Sequence, residues 1–199
     1  LSSSRISDAF NAAENISEEG TKQDSLEFSL MKARLEIYYE NIPANALRLF
    51  ESKYAENPND ANLYGLALAY KKNNNFDEGL ASLDKLLEKY PKNLVLNTTK
   101  VEFLSYFNKF NDALDLANKF LEISPKNYPL SISKSQILLN MGQYFESEEI
   151  IRDQLLRKND SPELWFMLSE TQKTSQNIVG YHQSRAEYFL LLGQDEKAL

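Results

Sequence analysis

The sequence predicts an all-α right-handed superhelix of stacked helix pairs, an α-solenoid, and three observations carry that prediction. Pro58, Pro91, Pro125 and Pro162 stand 33, 34 and 37 residues apart. Phe76, Phe110 and Tyr144 recur at intervals of 34, as do the small residues Gly79, Ala113 and Ser147 that follow them. Apolar residues inside a copy fall at helical spacing, and no stretch alternates as a half-buried strand would. A period of this length marks stacked units, each too small to bury its apolar face alone.

From the N-terminus, Ser4 is expected to cap a short helix running from Arg5 to about Asn15, and Ser17–Asp24 with Gly20 reads as a polar linker. Residues 1–24 are thus set apart from an array over 25–199, divided near 26–59, 60–93, 94–127, 128–161 and 162–199. In the 60–93 copy, Leu63, Leu66, Ala67 and Tyr70 share one helical face, and Leu80, Leu83, Leu86 and Leu87 share another. Asn73, Asn74 and Asn75 lie between them, where short side chains that tolerate left-handed backbone turn the chain. A proline then ends the second helix, since it cannot continue the hydrogen-bond ladder. The last copy opens at Ser161-Pro162-Glu163-Leu164-Trp165, continues in a helix near Asn177–Leu192, and is followed from Gly193 by the turn and start of one more, truncated helix.

Composition narrows the chemistry. The 199 residues include 22 Lys+Arg against 29 Asp+Glu, a net charge of −7 that disfavours nucleic acid and anionic membrane surfaces. Tyr188–Leu192 is among the longest apolar runs, far short of the ~20 residues that span a bilayer. Without cysteine there is no disulfide framework, thiolate zinc site or thiol nucleophile. A start at Leu1-Ser2-Ser3-Ser4 reads as a cut from a longer protein. His182 is the only histidine, so a paired-histidine zinc site is impossible and a Ser-His-Asp relay would rest on it alone. Next to Tyr181 in a helical stretch, it reads as a surface or packing residue. Glu148/Glu149 and Asp195/Glu196 are sequence neighbours that point about 100° apart on a helix, a solvated face rather than an acid–base dyad.

The 60–93 copy resembles the tetratricopeptide repeat through Leu63, Leu66, Ala67, Tyr70, Gly79, Leu83 and Pro91. Residues 27–59 keep Leu30, Ile37, Ala46, Phe50 and Pro58 with a loop one residue shorter. The 94–127 copy keeps Leu104, Ala113 and Pro125, and the 128–161 copy keeps Leu138, Ser147 and Ile151. The resemblance implies a concave groove lined by the first helix of each unit. Its register assigns to that lining Tyr64, Leu68, Lys71 and Lys72, then Thr98, Glu102 and Tyr106, then Ile132, Gln136 and Leu139. Phe28, Met31, Leu35, Tyr38 and Tyr39 precede them, and Phe166 and Glu170 follow. Such a surface suits an apolar or extended peptide, with Tyr64, Leu68 and Tyr106 expected to anchor it. The clamp for chaperone C-termini is missing: its positions hold Tyr64, Leu68, Thr99, Pro129 and Ser133.

Two end segments resemble a narrower family. Arg5-Ile6-Ser7-Asp8-Ala9 with Ala12-Ala13, and Trp165-Phe166-Met167-Leu168-Ser169-Glu170 followed by His182–Gly193, are similar to stretches of periplasmic zinc metalloproteases of the β-barrel assembly-enhancing (BepA/YfgC-like) type. That resemblance implies a non-catalytic interaction domain, with residues 1–24 following a missing catalytic domain that alone would carry zinc. It further implies periplasmic localisation and, as partners, outer-membrane barrel proteins or their assembly machinery. The alternative is a free-standing tetratricopeptide adaptor. On either reading the chain alone takes up no zinc: calorimetry is expected to show no stoichiometric binding, and casein to survive incubation with it.

Overall fold

The computed structural model describes residues 25–198, which form eleven helices and no strand. The expected Arg5–Asn15 helix and Ser17–Asp24 linker lie outside these residues. In chain order the helices are α1 (Leu26–Tyr39), α2 (Pro43–Glu56), α3 (Asp60–Lys72), α4 (Phe76–Lys89), α5 (Leu94–Tyr106), α6 (Phe110–Ile123), α7 (Tyr128–Asn140), α8 (Tyr144–Leu155), α9 (Pro162–Thr174), α10 (Ile178–Leu191) and α11 (Asp195–Ala198). They stack as an α-solenoid in which each helix from α2 onward packs on the helix that follows it along the chain.

Local chemistry sets the phase of the array. Ser25, Asn59, Asn93, Asn127 and Ser161, each 34 residues from the last, precede the first helix of successive units. Their side chains accept hydrogen bonds from Phe28, Asn62, Leu96, Leu130 and Leu164 backbone N–H groups at 3.2, 2.8, 3.1, 3.0 and 3.4 Å. Each satisfies a donor that the first helical turn would leave orphaned. The reversals between paired helices keep the same beat. Asn74, Asn108, Gly142 and Gln176 have φ of 61, 59, 79 and 62°, and the N–H that follows each returns to a carbonyl five residues back at 2.8–2.9 Å. This left-handed closure satisfies the last carbonyls of the helix and turns the chain through a hairpin in three residues. The Asn73–Asn75 turn was legible in the sequence; Gln176 was not, since glutamine rarely takes this conformation.

The first unit breaks the beat. Its connection, residues 40–42, contains no positive φ; Glu40 and Ile42 are extended. Without the left-handed residue, α1 does not fold back along α2 and packs instead on α3, far more extensively than on its own partner. The one-residue deficit of this copy lies after α2, where three residues lead into α3 against four between α4 and α5.

Burial follows the repeat register. Ala46, Ala67, Ala113 and Ser147 are fully buried where helices approach closely. At Gly65 and Gly79 even a methyl would collide, its carbon falling 1.9 Å from the Phe50 ring and 2.6 Å from the Phe103 ring. The apolar interior divides into three clusters: one from α1 to α5 around Phe50, Leu83 and Phe103, one across α5–α7 around Val101, Ala117 and Ile137, and one joining α8 to α9 through Ile151, Leu155, Leu164 and Leu168. Trp165, near the start of α9, is only half-buried. It packs against the edge of the α8–α9 cluster, and its indole N–H donates to the Asn159 carbonyl in the loop before α9 at 2.8 Å. Ala113→Leu and Gly65→Ala should each destabilise the fold by about 1–3 kcal/mol through overpacking, read as a lowered urea midpoint with unchanged slope.

Candidate functional site

The concave side of the array is organised by Arg34. Aligned on Leu30, Ile37 and Ala46 it takes the eighth position of its unit, held elsewhere by the buried Ala67, Val101, Ser135 and Ser169; counted from the Ser25 cap, that position falls on the buried Ala33 just before it. Because α1 lies over α3, the side chain crosses α3 and reaches α5. Arg34 Nε donates to Tyr64 Oη at 3.0 Å, and Nη2 donates to Thr99 Oγ1 at 2.7 Å and to Glu102 Oε2 at 3.0 Å. Tyr64 in turn donates to Thr99 Oγ1 at 2.9 Å, and Thr99 to the Val95 carbonyl at 2.7 Å. No buried polar atom of this relay is left without a partner, which is what a partly buried network requires. Burial opposes the Arg34 charge, but Tyr64 and Glu102 outweigh it and hold the guanidinium protonated more firmly than usual.

This arrangement corrects several expectations. Tyr64, expected as a leading anchor, is completely covered, and Leu68 and Thr98 are buried as well. They stand on the groove side of α3 and α5, but α1 and its arginine close over Tyr64. Lys72 is also spent internally: its ammonium donates to the Ile37 carbonyl at 2.9 Å and to that of Glu40. It caps the end of α1, where no left-handed closure does so. Phe166 stacks on Tyr188 of α10 at 5.4 Å and on the Arg185 guanidinium at 5.3 Å, within its own unit. Ile132 packs toward the α8–α9 cluster, Leu139 is half-buried, Gln136 is exposed, and Glu170 lies 3.9 Å from Lys173. These do not join the group around Arg34.

What the fold does bring together is a shorter groove along α5. At its upper end Met31, Arg34, Leu94, Val95, Thr98, Glu102, Asn127 and Pro129 line a depression of about 230 Å³ between α1 and the start of α7. One turn further along α5 the Arg34–Glu102 pair bridges α1 to α5. One turn beyond that, Tyr106 is 48% exposed, its hydroxyl donates to Asn74 Oδ1 at 2.9 Å, and the Lys71 ammonium lies 5.2 Å from its ring centre. Burial lowers the Lys71 pKa below the ordinary lysine value, Glu102 opposing that shift and Arg34 adding to it. Phe28, Leu35, Tyr38 and Tyr39 form an exposed stripe on α1. His182 is exposed and edge-on to Tyr181 at 5.0 Å. Among the described residues no group of His, Asp and Glu is placed to hold a metal ion, and no helix is long and apolar enough to cross a membrane.

Sequence reasoning missed Arg34, Leu94 and Val95 as groove residues. The signal for Arg34 was present: aligned on Leu30, Ile37 and Ala46, an arginine stands where the repeat requires a small side chain. Replacing Arg34 by Ala should loosen α1 by about 1–3 kcal/mol, the scale of hydrogen bonds to a charged group. Hydrogen exchange is expected to show faster α1 amides while α5 to α9 keep their protection.

A family model described as tetratricopeptide repeat matches residues 40–97. No curated protein sequence matches the chain. Among solved structures, a thermophilic tetratricopeptide-repeat protein of Thermus thermophilus superimposes with a TM-score of 0.67 at 19% identity, over 87% of this chain and 95% of that one. PilW, a widely conserved type IV pilus biogenesis factor, gives 0.67 at 18% identity over 85% and 80%. A tetratricopeptide-repeat protein from Parabacteroides merdae gives 0.58 at 15% identity over 85% and 76%. At these identities the likeness is one of fold, and with the 34-residue beat of caps and reversals it establishes that the chain folds as a tetratricopeptide-repeat domain.

Proposed function

We propose that this array is a non-catalytic docking module that holds an extended segment of another protein in the α1–α5–α7 groove. The repeat fold itself implies a protein-interaction scaffold. The observation that carries the reading to this groove is the apolar depression at Met31, Leu94 and Pro129, open on the concave side and continued by the exposed Tyr106 ring. Aromatic and aliphatic side chains at the centre of a concave surface are where interfaces concentrate their energy.

The wider role rests on the two end motifs. The second of them, Trp165–Glu170 and His182–Gly193, falls on α9 and α10 and the turn after them. Its resemblance to periplasmic zinc metalloproteases supports a periplasmic module that docks such an enzyme on outer-membrane assembly machinery or presents misassembled barrel proteins to it. Any zinc would belong to the catalytic domain of that parent. A free-standing adaptor is the competing reading; the array spans 95% of the thermophilic tetratricopeptide-repeat protein on which it superimposes. The open reading frame around this segment separates the two: an in-frame H-E-x-x-H domain supports the first, a start codon or lipobox the second.

For the groove, a photo-crosslinker installed at Leu94 or Tyr106 in periplasm-expressed protein is expected to trap a partner, whereas one at Phe145, exposed on α8, traps none. Equal yields at the three positions would place the partner elsewhere.

A further inference from the structure

The groove carries more positive charge than its carboxylates neutralise. Arg34 is matched by Glu102 at 3.0 Å, and Lys72 is spent on the carbonyls at the end of α1. Lys71, half-buried against the Tyr106 ring, has no carboxylate partner among the described residues. An ammonium drawn out of water without an anion is a standing cost, relieved when a ligand supplies the opposite charge. The acidic balance of the chain, −7, disfavours a polyphosphate backbone, so the anion that fits is a carboxylate of a protein segment.

Distance along α5 then sets the spacing of that segment. Thr98, at the apolar depression, and Tyr106, at Lys71, stand eight residues apart on one helix. That is about 12 Å of helix, which an extended peptide covers in about four residues. We propose that the groove selects an extended segment carrying an aliphatic or aromatic residue and, about four residues away, an aspartate or glutamate. The apolar side chain fills the Met31–Leu94–Pro129 depression, the carboxylate pairs with Lys71, and the segment passes over the Arg34–Glu102 bridge. This rests on the groove being the docking site and adds the chemistry of its occupant.

The test is selection of random dodecapeptides displayed on phage by the full chain, followed by fluorescence anisotropy of an enriched peptide and its acid-to-amide counterpart. The proteins are the parent, Lys71→Gln, Lys71→Arg and Leu94→Glu, each checked for unchanged helical circular dichroism. Enriched peptides are expected to carry the acid at the stated spacing. Lys71→Gln should weaken them about tenfold, equivalent to about 1.4 kcal/mol. The acid-to-amide change should cost the parent a similar factor and Lys71→Gln almost nothing, Lys71→Arg should retain most of the affinity, and Leu94→Glu should abolish binding. Peptides that depend on Leu94 yet lack the acid, or ignore Lys71→Gln, overturn the acidic selection and leave the groove as docking site. Failure to enrich any peptide, or binding indifferent to both positions, overturns the groove reading and this inference with it.

Discussion

The reversal between paired helices is the constraint on which the rest of this structure depends. A single residue in the left-handed conformation, recurring every 34 positions from Asn74 to Gln176, fixes how the second helix leaves the first. Small residues then permit close approach, and the apolar faces find each other. Where the left-handed residue is missing, at residues 40–42, the consequences propagate: α1 leaves its partner, lies on α3, takes its terminal cap from Lys72 and carries Arg34 across to α5. The site is therefore a product of one irregular turn in an otherwise regular array.

Arg34 makes that displacement specific. A merely hydrophobic α1 could slide on α3, because apolar contact is non-directional. A guanidinium that must meet Tyr64, Thr99 and Glu102 at once has one position, and α1 takes it. The same side chain divides the groove, leaving an apolar depression on one side and Lys71 with Tyr106 on the other. Geometry that holds the fold together thus also shapes the surface that a partner would meet.

The regular part of this molecule was legible because periodicity is a one-dimensional property. Prolines, small residues and turn residues at intervals near 34 specify paired helices without knowledge of any long-range contact. The groove was less legible, because a register predicts only which face of its own helix a residue occupies. Tyr64 stands at a lining position yet is buried, since what covers it is a helix from the preceding unit. Lys71 and Lys72 are adjacent and both were assigned to the groove; one caps a neighbouring helix and the other remains in it.

The division of the interior into three apolar clusters has a mechanical meaning. Cohesion is strongest within a cluster, and α7 and α8 meet across a boundary where the Ser147 hydroxyl grips the Ser135 carbonyl at 2.8 Å. Across that seam the polar grip is joined by Ile132, which reaches from α7 to the α8–α9 cluster. At the other end α1, α3 and α5 are tied by the single Arg34 side chain, so a partner lying along the groove meets a surface already held in place before it arrives.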